Sequence, residues 1–116
     1  MSKTPEKVKF CYRTAKIEHK TFKEMDAYGV FSTKENGSPT IHLAIDAPIH
    51  ELANTFLHEY FHFVADTHGV FGNVKEGKLR DDLEEQVCRV FANAVSELIK
   101  TNPDEVAWMI DGMKNG

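Results

Sequence analysis

The stretch from Pro48 to Gly69 constrains this chain most. Asp46-Ala47-Pro48 puts a proline where a helix's first turn accepts one, and Gly69 is a natural stop. The spacing therefore predicts a helix from Ile49 to about His68. Leu52, Phe56, Leu57, Tyr60, Phe63 and Val64 gather on one side of it. His58 and His62 leave the other side, among Asn54, Thr55, Ala65 and Asp66. The apolar side demands a packing layer. The histidine side faces something polar, as a cleft would be.

The rest of the chain supplies that layer. Val8, Phe10 and Tyr12 alternate with Lys9, Cys11 and Arg13, which reads as a strand. Ile17 to Asp26 leans to a short helix. Tyr28 to Thr33 and Thr40 to Ile45 are β-prone and read as a hairpin reversing at Asn36-Gly37. Ile41, Leu43 and Ile45 would face the core, with His42 and Ala44 on the other side. Val70 to Lys78 reads as a loop. A second long helix is expected from Leu79 to Lys100, with Leu83, Val87, Val90, Phe91, Ala94, Val95 and Leu98 as its apolar stripe. Thr101-Asn102-Pro103-Asp104-Glu105 resembles a cap and an acidic first turn, starting a short helix that ends near Gly112. The expectation is α+β: a small antiparallel sheet or hairpin packed on the motif helix, then a second long helix and a short C-terminal one. All of it fits one domain over residues 1–116.

Composition narrows the partners. A net charge of −4 leaves no general electrostatic footprint for nucleic acid or an anionic membrane surface. No run of about 18 apolar residues exists to span a bilayer. The N-terminus has no signal-like apolar run, and Cys11 and Cys88 have no paired spacing. A cytoplasmic protein with two reduced thiols is the expectation. The oligomeric state stays open.

Residues 58–62 read His-Glu-Tyr-Phe-His, the pattern H-E-x-x-H. Two histidines four apart project side by side from one helical turn, as two ligands of a tetrahedral Zn2+ require. Glu59 lies about 100° further round. It is poorly placed as a ligand but well placed to take a proton from a water on the metal. The earlier pair His50-Glu51 is a decoy, because position 54 is Asn.

A third ligand is needed, and three residues compete. Glu84 falls within the apolar stripe of the second long helix, where a carboxylate needs a partner. Glu85 falls at the stripe's edge, facing solvent with Arg89 and Ala92. His68 stands where a third histidine would follow a glycine turn, but Ala65 occupies the glycine position. Glu84 is the favoured ligand, with Glu85 and His68 as alternatives. Asp66, one turn after His62, is a candidate to orient an imidazole.

Leu57-His58-Glu59-Tyr60-Phe61-His62, a loop of some twenty residues, and then Glu84 on an apolar helix resemble the gluzincin pattern of zinc peptidases. A hairpin leading into the motif helix is similar to the ImmA/IrrE-like and phage-encoded small zinc peptidases. The resemblance covers roughly residues 28–98. It implies a zinc hydrolase acting on peptide bonds of a peptide or protein substrate. The family's E-x-x-A-[DN] stands here as Glu84-Glu85-Gln86-Val87-Cys88, with Val for Ala and Cys for the acid or amide. The alternative from another class is a non-catalytic, metal-stabilised binding or regulatory module.

Weaker signals remain. Gly69 to Gly77 could form a lid, Trp108 could mark a partner site, and Tyr12, Tyr28 and His42 are oxyanion candidates. A substrate would pair beside the strand Thr40 to Ile45.

Overall fold

The computed structural model describes residues 4–33, 38–69 and 77–115. Along the chain run β1 (Lys7–Phe10), β2 (Arg13–Lys20), α1 (Phe22–Met25), β3 (Gly29–Ser32), β4 (Thr40–Ala44), α2 (Ile49–His68), α3 (Lys78–Thr101) and α4 (Pro103–Asn115). The fold is α+β. Helix α2 has the bounds its sequence predicts, closed by Gly69 at φ 62°. α4 continues through Gly112 to Asn115. The expected reversal at Asn36-Gly37 and most of the expected lid lie outside the described residues.

The sheet departs from expectation. It has four strands in the order β1-β2-β4-β3. β2 pairs antiparallel with β1 but parallel with β4, Ile17 lying opposite Ile41. The sheet is therefore mixed rather than antiparallel. The first strand turns at Cys11-Tyr12 and returns as β2, so the first part of the segment from Ile17 to Asp26 read as helix, up to Lys20, is strand. Only Phe22–Met25 is helical, held by the reciprocal Thr21–Glu24 capping box. Asp46, expected beside the start of α2, instead accepts a hydrogen bond from the Phe22 backbone N–H at 3.0 Å.

One face of the sheet packs on α2. Ala15, Ile17, Ile41 and Leu43 meet Leu52 and Phe63, with Val8, Phe10, Phe31, Phe56 and Tyr60 around them. Phe63 is fully buried, with the Phe10 and Phe31 rings about it. Ile45 falls past the end of β4 and is half exposed, so it does not join this core. Arg13 locks the layers together. Its guanidinium lies over the Phe63 ring and donates to Asp66 at 2.8 Å and to Thr67 at 3.0 Å.

α3 packs on α2, but not by the stripe its sequence suggests. The buried residues of α3 are Cys88 and Ala92, and Ser96 accepts a hydrogen bond from Asn54 of α2 at 2.8 Å. Small side chains let the two helices approach closely. Of the larger residues of the stripe, Val90 turns aside at 56% exposure, while Phe91, 54% exposed, rests its ring against Phe61 of α2 at 5.9 Å. Among the described residues no helix is long and apolar enough to cross a membrane.

Candidate metal centre

Both histidines aim Nε2 at one point. The two Nε2 atoms lie 3.2 Å apart. The Glu85 carboxylate closes the triangle, one oxygen 2.5 Å from His58 Nε2 and the other 3.1 Å from His62 Nε2. Ligands about 2.0–2.1 Å from a tetrahedral zinc stand roughly 3.3 Å from one another, so the His58–His62 and His62–Glu85 separations fit, while the shorter Glu85–His58 contact is that of a direct hydrogen bond. Glu84 occupies a different position. Its carboxylate accepts from His62 Nδ1 at 2.8 Å, on the far edge of the ring.

The expectation that Glu85 faces solvent beside Ala92 is therefore corrected. The residue is half exposed, yet it lies on the α2-facing side of α3 with Cys88 and Ala92. Glu84 and Glu85 straddle His62, one per ring nitrogen. His68 is not brought to the centre; its ring packs edge-on against Phe10 at 5.3 Å. Asp66 orients no imidazole, being held by Arg13.

The donor set fits a cation. With Nδ1–H given to Glu84, a neutral His62 turns a lone pair at the Glu85 carboxylate, and only a proton or a metal ion satisfies that contact. Burial alone would lower the His62 pKa, but the Cys88 thiol and the Glu84 carboxylate outweigh it and raise it to about 10. His58 moves the other way, because burial outweighs the attraction of Glu85. A metal bound at the two Nε2 atoms would displace the proton His62 otherwise keeps. His58, Glu59 and His62 each place one ligand-type atom within 4.8 Å of the others.

Glu59 is buried at 7% exposure between α2 and β3. Burial raises its pKa to about 7, and Glu85 adds to the rise; His62 and a backbone hydrogen bond at Phe31 oppose it. β3 approaches this side chain so closely that Gly29 has no room for a Cβ. One built there would lie 2.5 Å from Thr55 Cγ2 and 3.1 Å from Glu59 Cγ.

Two cavities flank the centre along β3. One, of about 330 Å³, is lined by Gly29, Val30, Phe31, Glu59, His62, Asp81, Glu84 and Glu85. The other, of about 200 Å³, is bounded by Tyr28, Asn54, Thr55 and His58 with Gly29, Glu59 and Glu85. Of the oxyanion candidates, Tyr28 alone lines either cavity. Tyr12 is exposed at the β1–β2 turn, and His42, 3.5 Å from Glu18, lies on the sheet face away from α2. Trp108 is exposed on α4.

Sequence reading missed Gly29 and Asp81 at the site, and missed Cys88 beside His62. The helical spacing of the small residues Cys88 and Ala92 could have pointed to Cys88, while nothing in the sequence marks Gly29 or Asp81. Comparison with protein-family models, with curated proteins and with solved structures finds no match.

Proposed function

We propose that this chain is a zinc-dependent metallopeptidase of the small gluzincin kind that its motif resembles, acting in the cytoplasm. The observation that carries this reading is the convergence of His58 Nε2, His62 Nε2 and the Glu85 carboxylate beside a buried Glu59 that opens onto a cavity. In it His58, His62 and Glu85 hold the metal, and Glu84 keeps His62 in the Nδ1–H tautomer. Glu85 thus replaces Glu84 as the proposed third ligand.

When bound, the ion supplies Lewis acidity, bringing a water's pKa towards ~7 and polarising a peptide carbonyl. Glu59, on the wall of the cavity, would accept a proton from an attacking water and pass it to the leaving amine. A carboxyl whose pKa is about 7 is matched to both tasks near neutrality.

The substrate would lie along β3 rather than beside Thr40 to Ile45. β4 is internal, paired on both sides, whereas β3 is the sheet edge that borders the centre. An extended peptide added to that edge would carry its carbonyls past Glu59.

Metal analysis and hydrolysis together test the reading. Purified protein should retain about one zinc per chain, and chelation should lower its melting temperature. Less than a tenth of an equivalent after adding zinc back defeats the centre. A full zinc complement with no hydrolysis of any peptide in a broad library favours the metal-stabilised binding module.

A further inference from the structure

Six apolar residues of α3 run in one row along the side away from α2. Leu79, Leu83, Val87, Val90, Ala94 and Leu98 fall within an arc of about 100° on the helix. The centre of that arc lies about 150° round from Cys88 and Ala92, the buried residues of α3. Leu79 is 77%, Leu83 40%, Val90 56% and Leu98 38% exposed. Ala94 is exposed as well, and Val87 is half-buried. A single exposed leucine is ordinary, but a continuous apolar row about 29 Å long marks an interaction surface. Among the described residues the main neighbours of α3 are α2, on the Cys88 and Ala92 side, and α4, which follows after Asn102.

The spacing of the row indicates what covers it. Its intervals are 4, 4, 3, 4 and 4 residues, the same from either end. Steps of three and four keep a seam in line for another helix. Two copies of α3 set antiparallel across a two-fold axis would bring Leu79 against the partner's Leu98, Leu83 against the partner's Ala94, and Val87 against the partner's Val90. Each contact then occurs twice, as an isologous interface requires. Leucine against alanine and valine against valine give layers that interdigitate. An unrelated partner helix would place no such demand on the order of the row. The border fits the same arrangement. Gln86 and Asn93, exposed along one edge, would come side by side, and neither brings a charge out of water.

The row exposes on the order of 400 Å² of apolar surface, and two copies with their borders would bury about 1,000 Å² in total, where specific interfaces begin. We propose that this face of α3 binds a second copy of the chain, as an antiparallel helix pair centred between Val87 and Val90. At this size the dimer is reversible rather than obligate. The pairing is independent of the metal and of the peptidase reading, because Glu85, Cys88 and Ala92 lie on the other side of α3 and stay within each copy.

Sedimentation velocity on the full chain tests the dimer, and cross-linking tests its direction. The protein should be a monomer at roughly 1 μM and mostly a dimer at roughly 1 mM. Val90→Asp should weaken association at least about tenfold, by setting a charge in the seam. Val90 is more exposed than buried, so this variant should keep its melting temperature at dilute concentration. Met113→Asp, at an exposed position of α4, should leave the dimer as it is. For direction, Leu83→Cys and Ala94→Cys chains are mixed and oxidised, each in a Cys11→Ser background that removes the exposed native thiol. The mixed disulfide should exceed either homodimer at least about fivefold, since a disulfide needs the close approach that this register provides. A monomer at every concentration overturns the proposal, including one whose row binds a different protein instead. So does a dimer that withstands Val90→Asp or is lost with Met113→Asp. Leu83→Cys homodimers as the main cross-linked product overturn it too, because they report a parallel pair.

Discussion

α2 and α3 each give carboxylates or imidazoles to one centre, but they expose their purpose differently. On α2 the apolar and polar sides are separate, and the polar side carries the histidines. On α3 the residues that face the centre are the least conspicuous: Glu84, Glu85, Cys88, Ala92 and Ser96. Among the large apolar residues of α3, Val90, Phe91 and Ile99 stay half exposed, although the Phe91 ring still meets Phe61 of α2. Helix contact is decided here by how closely two backbones approach. Small side chains permit that approach, and hydrophobicity alone does not report it.

Substitutions on the two helices put that contrast under load, and the largest effect belongs to α2. Glu59→Gln keeps the shape and removes the base. Hydrolysis should fall roughly 10²–10⁴-fold, the range for loss of a positioned general base. Zinc content and melting temperature should hold, because Glu59 is not among the proposed ligands. Undiminished hydrolysis would remove Glu59 from the chemistry. By contrast Gly29→Ala on the facing strand would drive a methyl group against Thr55 and Glu59, and so disturb the same base indirectly.

On α3 the two neighbouring glutamates should separate cleanly. Glu85→Ala removes an oxygen from both Nε2 contacts and should weaken zinc affinity by more than about 100-fold. Glu84→Ala leaves the three proposed donors in place but frees the His62 ring, and losses of roughly 10–100-fold follow loss of such an orienting partner. His68→Ala should be neutral for zinc, since its ring packs against Phe10. Competition against a chromogenic chelator measures all three. A larger loss from Glu84→Ala than from Glu85→Ala would restore Glu84 as the ligand.

What was legible follows the same division. The bounds of α2, the pairing of β3 with β4, and the α+β class could be read, because periodicity, proline and glycine mark them directly. The H-E-x-x-H constellation was legible for the same reason: four residues apart on a helix is a geometric statement. The β1–β2 turn was not. Cys11 adopts a left-handed φ of 55° where no glycine or asparagine announces it. A missed turn there hid β2, and with it the parallel register against β4. The face of α3 was misjudged because seven apolar residues outweighed two small ones in the reading.

Ala92→Leu tests the packing argument itself. Ala92 is fully buried between α3 and α2. A leucine has no space without pushing the helices apart, and overpacking of this kind costs about 1–3 kcal/mol. The displacement would also carry Glu85 away from the histidines, so zinc affinity should fall together with stability. Urea unfolding of the zinc-free and zinc-loaded forms distinguishes the two losses. Leucine tolerated at no cost would mean that α3 does not rely on close approach.

The smallest effect is expected where the sequence most strongly suggested a core. Val90 belongs to the apolar stripe by spacing, and on that basis a polar replacement should be ruinous. In the structure it is more exposed than buried, on the side of α3 away from Cys88 and Ala92. Val90→Ser therefore loses little burial and leaves no cavity. Its cost should stay within about 0.5 kcal/mol, the range of ordinary surface substitutions, apart from a small loss of helix preference. Zinc affinity should not move. A stability loss above about 2 kcal/mol, measured by urea unfolding at dilute protein concentration, would return Val90 to a buried role and reverse the assigned faces of α3. With them would go the placement of Glu85 at the centre, since Glu85 and Val90 lie on opposite sides of the same helix.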